Sequence, residues 1–146
     1  MELAKALCIQ PGVTALIGSG GKTSAMLRLA RELGRDARVI VCTSTRILPP
    51  EGLPLLREPD AARAADILAH ERILCAGTPA EKGKLAAPGL AFSQLAALAD
   101  FVLVEADGSK RLPVKAHAAY EPVIPPEANQ TVCVFGLSGV GLPICE

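Results

Sequence analysis

Gly18-Ser19-Gly20-Gly21-Lys22-Thr23-Ser24 puts three glycines, a lysine and three hydroxyls into seven consecutive residues. That combination suits a polyphosphate. Glycines let backbone N–H groups turn toward an anion, and a helix beginning there adds the positive end of its dipole. In such a loop Lys22 reaches the β- and γ-phosphates and the Thr23 hydroxyl binds Mg²⁺. The spacing here is G-x-x-G-K-T, two residues shorter than the Walker A pattern, which would need glycine at Leu16. Mur-type ligases carry comparably compact loops. A dinucleotide fingerprint would need glycine at Thr23 and an acidic residue closing the second strand, and the chain has neither.

Two more segments carry suitable chemistry. Glu105-Ala106-Asp107-Gly108 follows the apolar run Phe101-Val102-Leu103-Val104. A carboxylate leaving such a strand can hold Mg²⁺, directly or through water, or orient an attacking water. Spacing leaves open which of Glu105 and Asp107 serves the metal, and Asp107-Gly108-Ser109 also reads as an ordinary turn. Thr43 and Thr45 are expected beside a γ-phosphate, where Arg46 would neutralise developing charge; the same residues also suit an ST-turn. Lys110, Arg111 and Lys115 follow the acidic pair, as contacts for an anionic ligand or as solvated loop cations. His70 ends a predicted helix and His117 stands alone in a loop, without partners at metal-ligand spacing. Gly83-Lys84-Leu85 lies in a polar connection that could close over the site.

These segments need a scaffold that brings them together. Short β-branched runs alternate with helical periodicity, the pattern of βαβ units around a parallel sheet. Strands are expected at Val13–Ile17, Arg38–Cys42, Arg72–Ala76, Phe101–Val104 and Thr131–Phe135. Helices are expected over Lys22–Leu33, around Ala61, Ala64, Ala65 and Leu68 with Pro59 in the first turn, and around Phe92, Leu95, Ala96 and Ala99. Leu3, Ala6 and Leu7 suit one or two helical turns before Pro11. Arg28 and Glu32, one turn apart, read as a solvated pair. The stretch from Ala106 to Asn129 holds four prolines and no clear period. The expected fold is α/β: a three-layer P-loop-type domain with a mostly parallel sheet of about five or more strands and helices on both faces. Residues 1–146 form a single domain in this reading.

Composition narrows the function classes. Fifteen Lys and Arg balance fifteen Asp and Glu, and aromatic residues are limited to one tyrosine and three phenylalanines. This gives little support for nucleic-acid binding. No apolar run approaches the ~18 residues of a spanning helix, and the N-terminus lacks a secretory pattern, so a cytoplasmic protein is expected. Five scattered cysteines without C-x-x-C argue against a disulfide framework or a structural zinc site. Cys42, Cys75 and Cys133 lie in apolar runs and are expected to be buried.

The chain resembles the selenium-dependent molybdenum hydroxylase accessory proteins of the YqeC type. The resemblance rests on Gly18–Thr23, Thr43-Ser-Thr-Arg46, Lys84-Leu85, Glu105-Ala-Asp-Gly-Ser109, Leu112-Pro-Val-Lys115, Glu121-Pro-Val-Ile-Pro125, Gly136-Leu137 and Gly141. Ser44 departs from it, standing where a third threonine is common, and family members usually extend further, so a C-terminal portion of the domain is expected to be absent. The resemblance implies a nucleotide-binding accessory factor that matures a molybdenum hydroxylase or its cofactor, with the hydroxylase or its maturation proteins as partners. The leading expectation is Mg²⁺-dependent binding and hydrolysis of ATP, or of GTP, with Lys22, Glu105 and Asp107 as the reactive groups. Gly18, Ser19, Gly20, Gly21, Lys22, Thr23, Ser24, Thr43 and Thr45 would hold the nucleotide, and Thr23, Glu105 and Asp107 the metal. The alternatives are a kinase or acyl-phosphate-forming ligase acting on a small anionic substrate, and a non-catalytic nucleotide-dependent scaffold.

Overall fold

Continuous apolar strands must bury both faces, and the chain does this with helices on each side of one sheet. The computed structural model describes residues 2–108, 112 and 115–141. Helix α1 (Leu3–Ala6) precedes β1 (Gly12–Ser19), α2 (Lys22–Leu33) and β2 (Val39–Thr43). Short strands β3 (Arg46–Ile47) and β4 (Leu55–Leu56) come next, then α3 (Ala61–Glu71), β5 (Ile73–Ala76), β6 (Thr78–Pro79) and β7 (Leu85–Ala86). The chain continues through α4 (Phe92–Leu98), β8 (Phe101–Glu105) and β9 (Ala128–Phe135). Six strands form the main sheet in the order β4-β5-β2-β8-β1-β9, with every pairing parallel.

Successive residues of each central strand feed opposite cores. Val13, Ile40, Cys42, Leu74, Val102 and Val104 pack with Ala64 and Leu68 of α3 and Leu95 of α4. Leu16, Val39, Val41, Cys75 and Leu103 pack with Met26, Leu29 and Ala30 of α2. The three-layer α/β architecture expected from the sequence follows from this alternation. Burial pushes the Cys75 thiol up to about 12, and that of Cys42 further.

The structure departs from expectation where local pattern carries little information. Helix α3 starts after Asp60, whose carboxylate accepts from the Arg63 N–H at 2.9 Å; Pro59 therefore precedes the cap and does not occupy the first turn. Glu32 is not solvated: its side chain is 4% exposed, pairs with Arg28 at 2.5 Å and accepts from the Ala4 N–H at 2.9 Å, tying α1 to α2. That backbone bond, then Arg28, holds the Glu32 carboxyl below its ordinary range. Cys133 is exposed, contrary to expectation, because β9 is an edge strand whose alternate residues face away from the core. β9 also begins at Ala128, three residues before the expected Thr131. The two-residue strands β3, β4, β6 and β7 are too short to show a period.

At the amino edge of the sheet, Asp100 accepts from the Arg38 N–H at 2.8 Å and pairs with the Arg38 guanidinium at 3.4 Å. The backbone bond, followed by the side chain, keeps the Asp100 carboxyl below its usual value. A depressed carboxyl stabilises the fold above its unfolded pKa, and the gain is lost as pH falls through the folded value. Because both side chains are about half exposed, Asp100→Asn is expected to cost less than about 1 kcal/mol at pH 7. Urea unfolding should show the difference closing as pH falls below the ordinary carboxylate range.

Candidate functional site

Strands β2, β8 and β1 are neighbours, so the three sequence segments at their carboxyl ends emerge side by side. Glu105 is in register with Leu16 on one side and Thr43 on the other. The carboxyl edge of a parallel sheet is where α/β proteins bind ligands.

The glycine loop depends on backbone that other residues rarely adopt. Gly18 has φ +97°, and a Cβ built there would lie 2.3 Å from the Val134 carbonyl oxygen of β9. Gly21 caps α2 at φ +104°. Gly18→Ala combines strain with a backbone clash and is expected to cost more than about 2 kcal/mol by urea unfolding. A loss below about 0.5 kcal/mol would mean that β9 is not held so closely there.

Lys22 opens α2, yet its side chain is only 2% exposed. Its ammonium donates to the Gly18 carbonyl at 2.6 Å and lies 2.9 Å from Asp107 Oδ1. The contact with Oδ1 is an ion pair without hydrogen-bond alignment, since that oxygen has no aligned donor among the described residues. Asp107 is fully buried, and its Oδ2 accepts from the Gly18 N–H at 2.8 Å and meets His117 Nε2 at 2.8 Å. Burial pushes its carboxyl up, but the Lys22 ammonium and the Gly18 and His117 bonds outweigh that effect and hold it below its ordinary value.

The other carboxylate faces a different partner. Thr23 Oγ1 donates to Glu105 Oε2 at 2.7 Å. Burial raises the Glu105 carboxyl; the Thr23 bond and the Lys22 charge offset this only in part, and the Asp107 charge adds to it. Thr43 Oγ1 donates to the Glu105 carbonyl at 2.7 Å and accepts from the Thr45 N–H at 2.9 Å. The Thr45 hydroxyl lies 3.2 Å from that of Thr43. The expected ST-turn and the expected site neighbours are therefore the same structure.

The fold thus gathers these residues into two hydrogen-bonded groups at one sheet edge, Gly18 and Lys22 around Asp107, and Thr23, Thr43 and Thr45 around Glu105. Gly20, with φ +73°, lies in the loop between them. Ser24 is exposed in the first turn of α2. Ser19 Oγ is buried without a hydrogen-bond partner among the described residues. A buried orphan hydroxyl is costly unless a ligand completes it. The donor set of loop glycines, ammonium and hydroxyl fits a phosphate group, and the adjacent Thr23 hydroxyl and Glu105 carboxylate are hard oxygen donors suited to Mg²⁺.

Sequence reasoning did not find His117. It lies ten positions from Asp107 in a proline-bearing stretch without a period, so no local pattern marks the contact. Lys115, read as an anion contact or a solvated cation, is 10% exposed and pairs with Glu121 Oε2 at 2.5 Å. It also donates to the Gly108 carbonyl and lies 3.9 Å from Asp107 Oδ2. That lysine holds the Glu121 carboxyl below its ordinary range. Lys110 and Arg111 lie outside the described residues.

Fold and site together define a three-layer α/β protein with a glycine loop and an acidic pair at one sheet edge. The chain belongs to the YqeC family, whose profile, described as YqeC protein, matches residues 14–146. A relative from Escherichia coli (strain K12), described as "Uncharacterized protein YqeC", is 29% identical over 144 residues. The match covers 92% of this chain and 56% of the relative, so the chain spans about half of that protein's length. No solved structure gives a significant match. Among the described residues, no helix is long and apolar enough to cross a membrane.

Proposed function

We propose that this protein binds a Mg²⁺–nucleoside triphosphate, ATP or GTP, at Gly18–Ser24 and hydrolyses it in the maturation of a selenium-dependent molybdenum hydroxylase. The observation that carries the reading is a glycine loop that opens a helix and holds both a buried Lys22 ammonium and a buried, unpartnered Ser19 hydroxyl. A buried cation and an unpartnered hydroxyl in one glycine loop fit an anion better than water. The sequence resemblance set out above supports the assignment to hydroxylase maturation.

In this reading the two carboxylates divide their work. Glu105, bonded to Thr23, serves the metal with that hydroxyl. Mg²⁺ held there would neutralise phosphate charge. Asp107 holds the Gly18 N–H and the Lys22 ammonium in place, and Lys22 exchanges its bond with the Gly18 carbonyl for phosphate oxygens. Thr43 and Thr45 lie where a γ-phosphate would emerge. Paired with a carboxylate through Nε2, the His117 ring has its Nδ1 left to orient or deprotonate a water.

Calorimetric titration of the chain with ATP and GTP, each with and without Mg²⁺, tests the assignment. Micromolar binding that requires Mg²⁺ is expected for one of the two and would identify the base. Absence of binding for both in the presence of Mg²⁺ would overturn it.

A further inference from the structure

A cavity of about 410 Å³ opens beyond the carboxyl ends of β2 and β8, walled by Thr45, Arg46, Lys84, Gly108, Tyr120 and Glu121 among others. Its volume falls within the ~300–1,000 Å³ typical of small-molecule sites. We propose that this cavity binds a small phosphate monoester carrying a ring, through Arg46, Lys84 and Tyr120.

The small antiparallel sheet β3-β7-β6 accounts for the placement of its cations. Ile47 pairs with Leu85, and both are buried in the α2-side core. Their immediate neighbours Arg46 and Lys84 consequently point the other way, toward the cavity they line. Each cation is held at its base by a buried apolar residue, which lowers the entropy lost on ligand binding.

Charge in the cavity is unbalanced. The one carboxylate among its described lining residues, Glu121, is taken by Lys115 at 2.5 Å and accepts weakly from the Gly108 N–H at 3.4 Å. Among the described residues, neither Arg46 nor Lys84 has an ion-pair partner. A guanidinium fork with an ammonium beside it matches a phosphate monoester, the fork binding two oxygens and the ammonium adding charge. Tyr120, 78% exposed, supplies an aromatic face at the rim for the ligand's ring.

This ligand site goes beyond the nucleotide reading: it shares Thr45 with that site, while Lys84 and Tyr120 lie outside it. The two adjoin, because Thr45 is bonded to Thr43 and Gly108 follows Asp107. A bound monoester would therefore sit next to the proposed γ-phosphate position.

Phenyl phosphate serves as the probe, titrated into the ¹⁵N-labelled chain and followed by amide shifts. Shifts are expected at Thr45, Arg46, Lys84, Gly108 and Tyr120, with affinity at least about tenfold weaker in the Arg46→Ala/Lys84→Ala variant. Benzyl alcohol, which has the ring without the anion, should leave these amides unmoved. Shifts confined to Gly18–Thr23, or equal affinity in the double variant with its spectrum otherwise preserved, would overturn the proposal. The same sample titrated with Mg²⁺–ATP and Mg²⁺–GTP separates the two readings. Failure of both nucleotides to move Gly18–Thr23 would remove the nucleotide assignment while leaving a positive phenyl phosphate result intact.

Discussion

Asp107→Ala is expected to destabilise the protein by about 3–5 kcal/mol, the usual cost of removing one partner of a buried ion pair. The carboxylate is fully buried and faces a lysine that is only 2% exposed. Without it the Lys22 ammonium keeps a single partner, the Gly18 carbonyl, and the Gly18 N–H and His117 each lose an acceptor. Urea unfolding at pH 7 measures the loss. Adding Lys22→Met to Asp107→Ala removes the stranded charge and should recover most of it, to within about 2 kcal/mol of the parent. A single variant that loses less than about 1 kcal/mol would show that the pair does not anchor the loop.

Lys22→Ala should act in the opposite way, weakly on the fold and strongly on the ligand. Asp107 keeps two partners in this variant, Gly18 and His117, so its charge remains partly compensated. Affinity for the Mg²⁺–nucleotide should fall about a hundredfold, roughly 2.8 kcal/mol, the scale of lost charge-assisted hydrogen bonds. Calorimetry beside the parent protein provides the comparison. Unchanged affinity in a folded Lys22→Ala protein would remove Lys22 from the site. The two variants thus ask whether one ion pair serves structure through its carboxylate and binding through its ammonium.

Much of this architecture could be read from local pattern. The apolar runs of β1, β2, β5 and β8 and the 3.6-residue period of α2 mark their elements, because a side chain's face follows from its position along a strand or helix. The edge strand β9 was legible only in its second half. Its first residues, Ala128–Gln130, are polar or small and pair with β1 across an irregularity between Val13 and Thr14. Cys133 was misjudged for a related reason: β-branched neighbours indicate a strand, but not whether both of its faces are covered. The β3-β7-β6 sheet left no readable signal: its strands are two residues long, and its β3–β7 pairing joins residues about forty positions apart.

By itself the sequence determined the glycine loop, the helix it opens, the acidic pair after the central strand and the alternation that makes a three-layer fold, all consequences of short-range spacing. Tertiary structure alone decided how the two carboxylates divide. Thr23 meets Glu105 across 82 residues, and Gly18 meets Asp107 across 89. Nothing in Glu-Ala-Asp specifies those partners. They follow from β8 lying between β1 and β2, which fixes the strand register and turns one carboxylate toward the helix and the other toward the loop. Contacts outside the main sheet add to this: His117 reaches Asp107 from ten positions along the chain, and the β3–β7 pairing brings Arg46 and Lys84 to one cavity. Such contacts depend on burying the sheet's two faces together, a property of the whole chain that no segment contains.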